Sequence, residues 1–312
     1  MKERLIDLLI CPTCLPQEKS LTPDVFERMD EDIIKGELKC QGCGLRYPIK
    51  EGIASLLPHT HKQQVHSSQY EDSLMISSYL WSHYADILDD VEASQAYVKW
   101  AALISNNPGP SLDIGCAVGR MTFEMGMKSD YAIGIDRSEG LIRMARMLML
   151  NRELEFTLLK EGKLMENRFI HIPEIWKNKN VEFIIGDAHN LPFASNTFST
   201  IASLNIIDKI ALPISHLKEI NRIAMNQGTQ FLFSDPFSWS PEVTDEINWL
   251  GGKTEGPFAG EGLDNLLQIL RGKNNYFYPS WQIEDKGHIL WKIRKHQNLF
   301  EIINSSFIKA RR

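Results

Sequence analysis

Four of the five cysteines stand in two pairs near the start of the sequence, in the patterns Cys-Pro-Thr-Cys and Cys-Gln-Gly-Cys. Each pair has the spacing at which one tight turn presents two thiolates to a single metal ion. Four thiolates favour zinc, and a shell closed by four protein ligands leaves no position for a catalytic water. The alternatives are buried unliganded cysteines or a redox-active pair, and the doubled pattern disfavours both. We therefore predict a structural Zn²⁺ site formed by Cys11, Cys14, Cys40 and Cys43.

A glycine-rich turn is the second feature that could do chemistry. It follows a short apolar run and precedes a helical pattern, an arrangement that holds a nucleoside at the end of a strand. A dinucleotide fingerprint has glycine at its first, third and sixth positions. Here the third and sixth are Ala117 and Arg120, which disfavours pyrophosphate binding. The residues that we assign to cofactor binding in this turn are Asp113, Gly115, Cys116 (through its backbone), Ala117 and Gly119.

Two aspartates follow at the ends of apolar runs. The run from Tyr131 ends at Asp136, 17 residues after Gly119, where a carboxylate can accept hydrogen bonds from two ribose hydroxyls. A later run from Val181 ends at Asp187. One acid at the end of a strand is more often a helix N-cap, but a glycine turn followed by two such acids favours a nucleoside site. We assign Asp136, Arg137, Asp187 and Ala188 to that site.

These residues must be positioned by strands of one sheet. Five strand-like runs alternate with helical patterns between residues 111 and 235, which predicts an α/β fold with a doubly wound parallel sheet. Apolar and aromatic residues at helical spacing from Ser73 to Ser105 predict two lead-in helices. We expect a zinc ribbon at residues 1–58, a linker with these helices at 59–105 and the catalytic domain at 106–312. We interpret three linker histidines as exposed rather than metal-binding: His59, His61 and His66.

The glycine turn and the two acids, in this order, resemble the motifs of class I S-adenosylmethionine-dependent methyltransferases. This resemblance implies a Rossmann-like, mostly parallel seven-stranded sheet with helices on both faces, and S-adenosyl-L-methionine as the cofactor. It also implies that Asp187 contacts the adenine amino group and that the Ala188 amide contacts a ring nitrogen. The stretches LLICPTC and GELKCQGCGLRYPIKEGIASLLP are similar to the zinc-ribbon proteins and domains that activate tRNA methyltransferases, which implies a protein partner for the ribbon.

The fourth and fifth predicted strands end in residues that could receive the methyl acceptor, because ligands of such sheets bind beyond the carboxyl ends of the strands. Methyl transfer from a sulfonium is an in-line displacement, so the site must orient the acceptor and exclude water. A carboxylate could take the acceptor's proton, although either aspartate could instead cap a helix or a turn. We assign Asn205, Asp208 and Asp235 to catalysis, Asn205 also to the cofactor, and Phe237 and Trp239 to substrate binding.

The runs Leu204–Lys209, Ser234–Trp239 and Asn248–Gly252 are similar to the methyltransferase domain of ovothiol-biosynthesis enzymes. This implies a small acceptor, such as a thiohistidine-like or other imidazole- or thiol-bearing amino-acid derivative. Ribosomal RNA is the alternative, because one guanine-methylating family joins an N-terminal zinc ribbon to this fold and has a sequence similar to Lys50-Glu-Gly52. A non-catalytic interaction module is the second alternative, which the complete set of cofactor motifs disfavours.

Composition bears on these alternatives. Lys and Arg number 34 against 40 Asp and Glu, and the net charge of −6 is not that of a dedicated nucleic-acid-binding protein. Residues 271–312 hold nine basic against three acidic residues, and we expect this surplus to lie on a solvated sheet edge. No apolar run reaches the roughly 20 residues of a membrane span, and the first residues lack a signal-peptide pattern. We therefore expect a cytoplasmic protein with no membrane partner.

Overall fold

The computed structural model describes residues 1–58, 71–176, 180–273 and 276–312, so the interpretation of His59, His61 and His66 lies outside the described residues. The strands, in chain order, are β1 (Leu21–Met29), β2 (Asp32–Cys40), β3 (Arg46–Lys50), β4 (Ile53–Leu56), β5 (Pro110–Ile114), β6 (Tyr131–Asp136), β7 (Glu153–Glu161), β8 (Leu164–His171), β9 (Val181–Gly186), β10 (Thr200–Leu204), β11 (Gln230–Asp235), β12 (Gln282–His296) and β13 (Leu299–Arg311). The α-helices are α1 (Ser73–Tyr84), α2 (Ala96–Leu103), α3 (Arg120–Gly126), α4 (Glu139–Asn151), α5 (Pro213–Ile223) and α6 (Gly262–Leu270).

The first four strands form an antiparallel meander, in which β1 pairs with β2, β2 with β3 and β3 with β4. Along β3 exposed and buried side chains alternate, and Tyr47 and Ile49 are the buried ones. These residues belong to the same apolar cluster as Ile133 of β6 and Phe193 beyond β9. The N-terminal segment therefore shares its core with the rest of the chain.

One sheet runs through both parts of the chain. Its eleven strands lie in the order β1-β2-β3-β4-β9-β6-β5-β10-β11-β13-β12. The six strands from β4 to β11 in this order are parallel neighbours, and β13 is antiparallel to β11 and β12. The α/β fold with a mostly parallel catalytic sheet is confirmed. The expected seven strands are only part of a larger sheet, because Ser55 and Leu56 of β4 pair with Ile185 and Gly186 of β9.

The central strands are buried from end to end, as strands covered on both faces must be: every residue of β9, β10 and β11 is buried. The two expected lead-in helices are α1 and α2, and β7 and β8 form a separate hairpin between α4 and β9. The hydroxyl of Ser138 caps α4 by accepting the Leu141 amide at 3.1 Å. None of the helices in the described ranges is long and apolar enough to cross a membrane.

The basic C-terminal segment forms β12 and β13 at one edge of the sheet, but its charges are less solvated than expected. Arg294 is 5% exposed and donates to Glu166 at 2.6 Å. The guanidinium of Arg312 donates to backbone carbonyls, including that of Met225 at 2.8 Å. Further pairs join this segment to acidic residues: Lys292 with Glu92, Lys295 with Glu301, and Lys309 and Arg311 with Glu284. Much of the positive charge is therefore neutralised within the protein.

Candidate active site and zinc site

The four cysteines predicted as zinc ligands converge, with all four Sγ atoms within 4.8 Å of one another. The Sγ atoms of Cys11 and Cys43 are 3.8 Å apart, and those of Cys14 and Cys40 are 3.7 Å apart. A tetrahedral ion with Zn–S distances of about 2.3 Å places its ligands about 3.8 Å from one another. The donor set and its spacing therefore fit one zinc ion.

Hydrogen bonds reach two of the four sulfurs. The amides of Gly42 and Cys43 donate to Sγ of Cys40 at 3.2 and 3.4 Å. Burial opposes ionisation, but these hydrogen bonds lower the pKa of Cys40 to about 7. The hydroxyl of Tyr47 lies 3.1 Å from Sγ of Cys11, so a buried side chain orients a second ligand.

The turn after β5 needs its glycines. Gly115 and Gly119 have φ angles of 72° and 85°, in the left-handed region. A Cβ on Gly119 would lie 2.6 Å from the Phe183 ring, and one on Gly115 would collide with Ile206. Ala117 also takes a positive φ, 47°, although it has a side chain. Backbone strain of this kind concentrates at functional sites.

The beginning of this turn is tied into the sheet. The amides of Gly115 and Cys116 both donate to the carbonyl of Ile135 in β6, at 2.8 and 3.1 Å. Asp113, predicted to bind the cofactor, is 2% exposed, and its Oδ2 accepts the Thr122 hydroxyl at 2.7 Å. The structure therefore places Asp113 beneath the turn, where it joins β5 to α3.

Asp136 stands at the end of β6 and faces the glycine turn. Its Oδ2 accepts the Ala117 amide at 3.0 Å and its Oδ1 accepts the Ser138 amide at 2.9 Å. Each carboxylate oxygen has a second lone pair, so these bonds hold the side chain without using its capacity to accept from hydroxyls. Arg137, the next residue, is exposed.

Asp187 follows β9, the neighbour of β6. Its Oδ1 accepts both the backbone N–H of His189 at 2.9 Å and the ring Nδ1 of His189 at 2.8 Å. Burial alone would raise the pKa of Asp187, but the hydrogen bonds from His189 lower it below its usual value. Ala188 is half-buried, and its carbonyl accepts Nδ1 of His216 at 3.2 Å. Asp136 and Asp187 therefore extend from adjacent parallel strands at the same edge of the sheet.

Asp235 ends β11 and is fully buried. Its Oδ1 accepts the Phe237 amide at 2.7 Å and its Oδ2 accepts the Ile207 amide at 3.0 Å, so it joins the turns that follow β10 and β11. Burial and the nearby Asp208 carboxylate raise the pKa of Asp235 well above its usual range, although the Phe237 amide opposes this shift. The turn-capping alternative considered for this residue is thus present in the structure.

Asp208 lies on the turn after β10 and is also fully buried. Its Oδ2 accepts the Ser238 amide at 2.8 Å and lies 3.2 Å from Nζ of Lys209. Burial raises the pKa of Asp208, although Lys209 opposes this shift. Its Oδ1 is buried and has no hydrogen-bond partner among the described residues. The two acids assigned to catalysis are therefore neighbours, and one of them retains an unused oxygen.

Three further side chains complete this edge. Asn205 has a φ of 58°, and its Oδ1 is buried without a partner in the described ranges, as is Nε1 of Trp239. Phe237, at a φ of 54°, lies 6.2 Å from Trp239 between ring centroids. Trp239 stacks on Trp249, with centroids 6.4 Å apart and planes 17° apart. The sequence analysis assigned no role to Trp249 or to His189. Trp249 could have been noticed as an aromatic residue in a glycine-rich loop, and His189 as a histidine close to an acid at the end of a strand.

Comparisons with known proteins match the two parts separately. Residues 112–232 match the family model described as methyltransferase domain, and residues 2–52 match the Trm112p-like protein family. The N-terminal part is also similar to a UPF0434 protein of Bordetella petrii, with 33% identity over 63 residues that make up 20% of this chain and 85% of that protein. The N-terminal domain therefore belongs to this family of small proteins.

Solved structures are similar to the chain at low identity. The YcgJ protein of Bacillus subtilis has 13% identity, a TM-score of 0.45, and coverage of 69% of this chain and 96% of its own. A complex containing the Haloferax volcanii Trm112 methyltransferase activator has 12% identity, a TM-score of 0.46, and coverage of 80% and 99%. From its matched domains and its cysteine cluster, the chain is an enzyme that contains an S-adenosylmethionine-dependent methyltransferase domain and a Trm112-like N-terminal domain whose four cysteines are positioned to bind zinc.

Proposed function

We propose that the enzyme methylates a small imidazole- or thiol-bearing amino-acid derivative, and that in an imidazole the methyl group goes to a ring nitrogen. One buried atom carries this proposal, the Oδ1 of Asp208, which lacks a hydrogen-bond partner among the described residues. Leaving a buried acceptor unsatisfied costs roughly 1–3 kcal/mol, so a ligand N–H that meets this oxygen is favoured. A neutral imidazole offers such an N–H on one ring nitrogen and a lone pair on the other.

The proposed chemistry uses both ring nitrogens. S-adenosylmethionine supplies an electrophilic methyl group when bound. The lone-pair nitrogen forms a bond to the methyl carbon as the C–S bond breaks, and the electron pair of that bond remains on sulfur. The other ring nitrogen gives its proton to Oδ1 of Asp208, acting as general base. Asn205 would accept a second N–H of the acceptor, and Asp235 acts as a positioning residue because it is fully buried and its hydrogen bonds join the turns after β10 and β11.

The cofactor residues of the proposal lie around the ends of β5, β6 and β9. The carboxylate of Asp136 would accept the ribose hydroxyls, with the exposed Arg137 at the rim. Oδ2 of Asp187 would accept from the adenine amino group and the Ala188 amide would donate to a ring nitrogen. The glycine turn, supported from below by Asp113, gives the backbone room to approach the ligand. The turn would contribute Gly115, Cys116, Ala117 and Gly119, and Asn205, which follows β10, would also contact the cofactor.

Aromatic side chains suit a flat acceptor. The stacked rings of Trp239 and Trp249, with Phe237 beside them, offer an apolar surface on which a heteroaromatic ring can pack. The Nε1–H of Trp239, which has no partner in the described part of the chain, can donate to a carboxylate or a ring atom of the acceptor. A planar amino-acid derivative with both donors and acceptors matches this set of groups.

RNA is the second candidate acceptor, and a protein is a candidate partner of the ribbon. The Trm112p-like match at residues 2–52 favours a macromolecular role for that domain. Against RNA, basic residues of the C-terminal segment such as Arg294, Lys309 and Arg311 form ion pairs within the chain. Phosphate binding needs cations that are available to the ligand.

A labelling experiment separates the acceptors. The purified enzyme receives methyl-labelled S-adenosylmethionine together with either a small-metabolite fraction or total RNA, at about 50 and 200 mM salt. We expect ribonuclease-resistant label in the small-molecule fraction with weak salt dependence, because desolvated contacts are poorly screened. The Asp208→Asn variant should transfer methyl groups about 100-fold more slowly while still binding the cofactor. The control variant Asp245→Asn, at an exposed aspartate, should keep the parent's transfer rate. Label found only in ribonuclease-sensitive material, with a steep salt dependence, would favour RNA.

A further inference from the structure

Two histidines contact the dipeptide Asp187–Ala188, which the proposed function places against adenine, and the reaction gives neither of them a role. His189 follows the dipeptide on the turn after β9, and its side chain is 16% exposed. His216 lies in α5 and is fully buried. Both are therefore held in defined positions next to the proposed nucleobase contact.

The tautomer of His189 follows from its hydrogen bonds. Its backbone N–H and its ring Nδ1 both approach Oδ1 of Asp187, at 2.9 and 2.8 Å. Its Nε2 lies 3.1 Å from the backbone N–H of Leu212, just before α5. Because an amide N–H can only donate, Nε2 accepts and carries no proton. Nδ1 then carries the proton of the neutral ring and donates it to Asp187.

We infer that His189 is a positioning residue that fixes the orientation of the Asp187 carboxylate, so that the oxygen it leaves free meets the adenine amino group. This inference rests on the proposed role of Asp187 as the nucleobase contact. With two donors from His189 on Oδ1, rotation of the carboxylate would break both bonds, and Oδ2 is the oxygen left for the ligand. Leu212 ties the ring to the start of α5, so the position of that helix is transmitted to the carboxylate.

The neighbouring backbone is fixed in the same way. Nδ1 of His216 donates to the Ala188 carbonyl at 3.2 Å, and its Nε2 accepts the Ser203 hydroxyl of β10 at 2.9 Å. Burial lowers the pKa of His216 to about 4, so the ring stays neutral and keeps this pattern near neutral pH. The amide and the carboxylate proposed to read adenine thus have separate supports.

Two substitutions separate the two ring nitrogens. His189→Asn places an amide donor near the position of Nδ1, and His189→Gln places an acceptor near Nε2 without a donor to Asp187. The readout is the ratio of dissociation constants for the purine analogue of S-adenosylhomocysteine, in which hydrogen replaces the 6-amino group, and S-adenosylhomocysteine itself; the ring nitrogens keep their lone pairs in both. The parent should prefer the adenosyl compound by about tenfold or more, the scale of one hydrogen bond to a charged acceptor. His189→Asn should keep most of this preference, and His189→Gln should lose it.

Controls make each outcome informative. The ratio of the two dissociation constants does not depend on the fraction of folded protein. His171→Gln is the control variant, because His171 is 71% exposed and lies beside Glu153; it should keep the parent's ratio. Equal ratios in the Asn and Gln variants, whether both kept or both lost, would overturn the inference. Asp187→Ala tests the underlying assignment: if that variant keeps the parent's preference, Asp187 does not contact adenine. If it loses the preference while His189→Gln keeps it, only the positioning role fails.

Discussion

Arg146 joins the zinc-binding domain to the catalytic domain, and its replacement by methionine should destabilise the whole chain. The guanidinium, on α4, is 3% exposed and lies 2.6 Å from Glu182 of β9, which is fully buried. It also donates to the carbonyl of Glu51 at 3.1 Å and lies 3.6 Å from Asp32, both in the N-terminal domain. Removing the arginine leaves a buried carboxylate without its cation, which costs about 3–5 kcal/mol. We expect the lower end, about 3 kcal/mol, because the Lys2 amide still donates to Glu182 at 2.6 Å.

Equilibrium urea unfolding of the zinc-loaded protein measures this loss. Arg143→Met is the matched control, one turn earlier on α4, where Arg143 and Glu139 are 48% and 60% exposed and their pair contributes at most about 0.5 kcal/mol. The double variant Arg146→Met, Glu182→Met should recover part of the loss, because it removes both buried charges. An Arg146→Met protein within about 1 kcal/mol of the parent, or equal to Arg143→Met, would refute this account of the junction.

Three other outcomes follow from the site. Cys40→Ser with Cys43→Ser should abolish tight zinc binding in metal analysis, and retention of one zinc per chain would contradict the ligand assignment. Asp136→Ala should weaken S-adenosylhomocysteine binding by about 2–3 kcal/mol in calorimetry; unchanged affinity would mean that the ribose contact lies elsewhere. Burial raises the pKa of Asp113 to about 7, although its hydrogen bond with Thr122 opposes the shift. The folded state therefore loses stability as the pH rises from about 4 through 7. Asp113→Asn should be more stable than the parent in urea at pH 8 and similar at pH 4, and the same difference at both values would exclude this titration.

Spacing along the chain predicted the parts of the structure that depend on local chemistry. Cys11 and Cys40 each need a partner three residues on, and the four thiolates meet as expected. Asp136 and Asp187 end two parallel strands, and the carboxyl ends of such strands share one edge of the sheet. The helix expected near Arg120 begins there. In each of these cases the relevant neighbours are close in sequence or are imposed by the sheet.

Features that depend on tertiary contacts could not be predicted in this way. Ala117, Asn205 and Phe237 take positive φ angles that their residue types rarely adopt, so only the surrounding packing explains them. The fixed tautomer of His189 depends on Leu212, which is distant in sequence and belongs to another element. The expectation that the basic residues lie on a solvated edge was partly wrong. A count of charges along a segment does not reveal partners from other segments, such as Glu166.

No predicted cofactor residue precedes Asp113, so the sequence alone predicts that cofactor binding does not need the zinc ribbon. The backbone contacts between the two parts argue for the opposite expectation. β4 is the parallel neighbour of β9, and the segment just before Cys11 pairs with the chain that follows Asp187: the Ile10 amide donates to the Pro192 carbonyl at 2.9 Å, and Leu9 bridges to Phe193. Removing the ribbon would turn β9 into an open edge and release the far end of the proposed adenine-binding turn. Zinc binding can contribute roughly 10 kcal/mol of folding free energy. In this chain that energy stabilises a segment bonded to the cofactor site, so loss of zinc should weaken cofactor binding although no cysteine ligand contacts the cofactor.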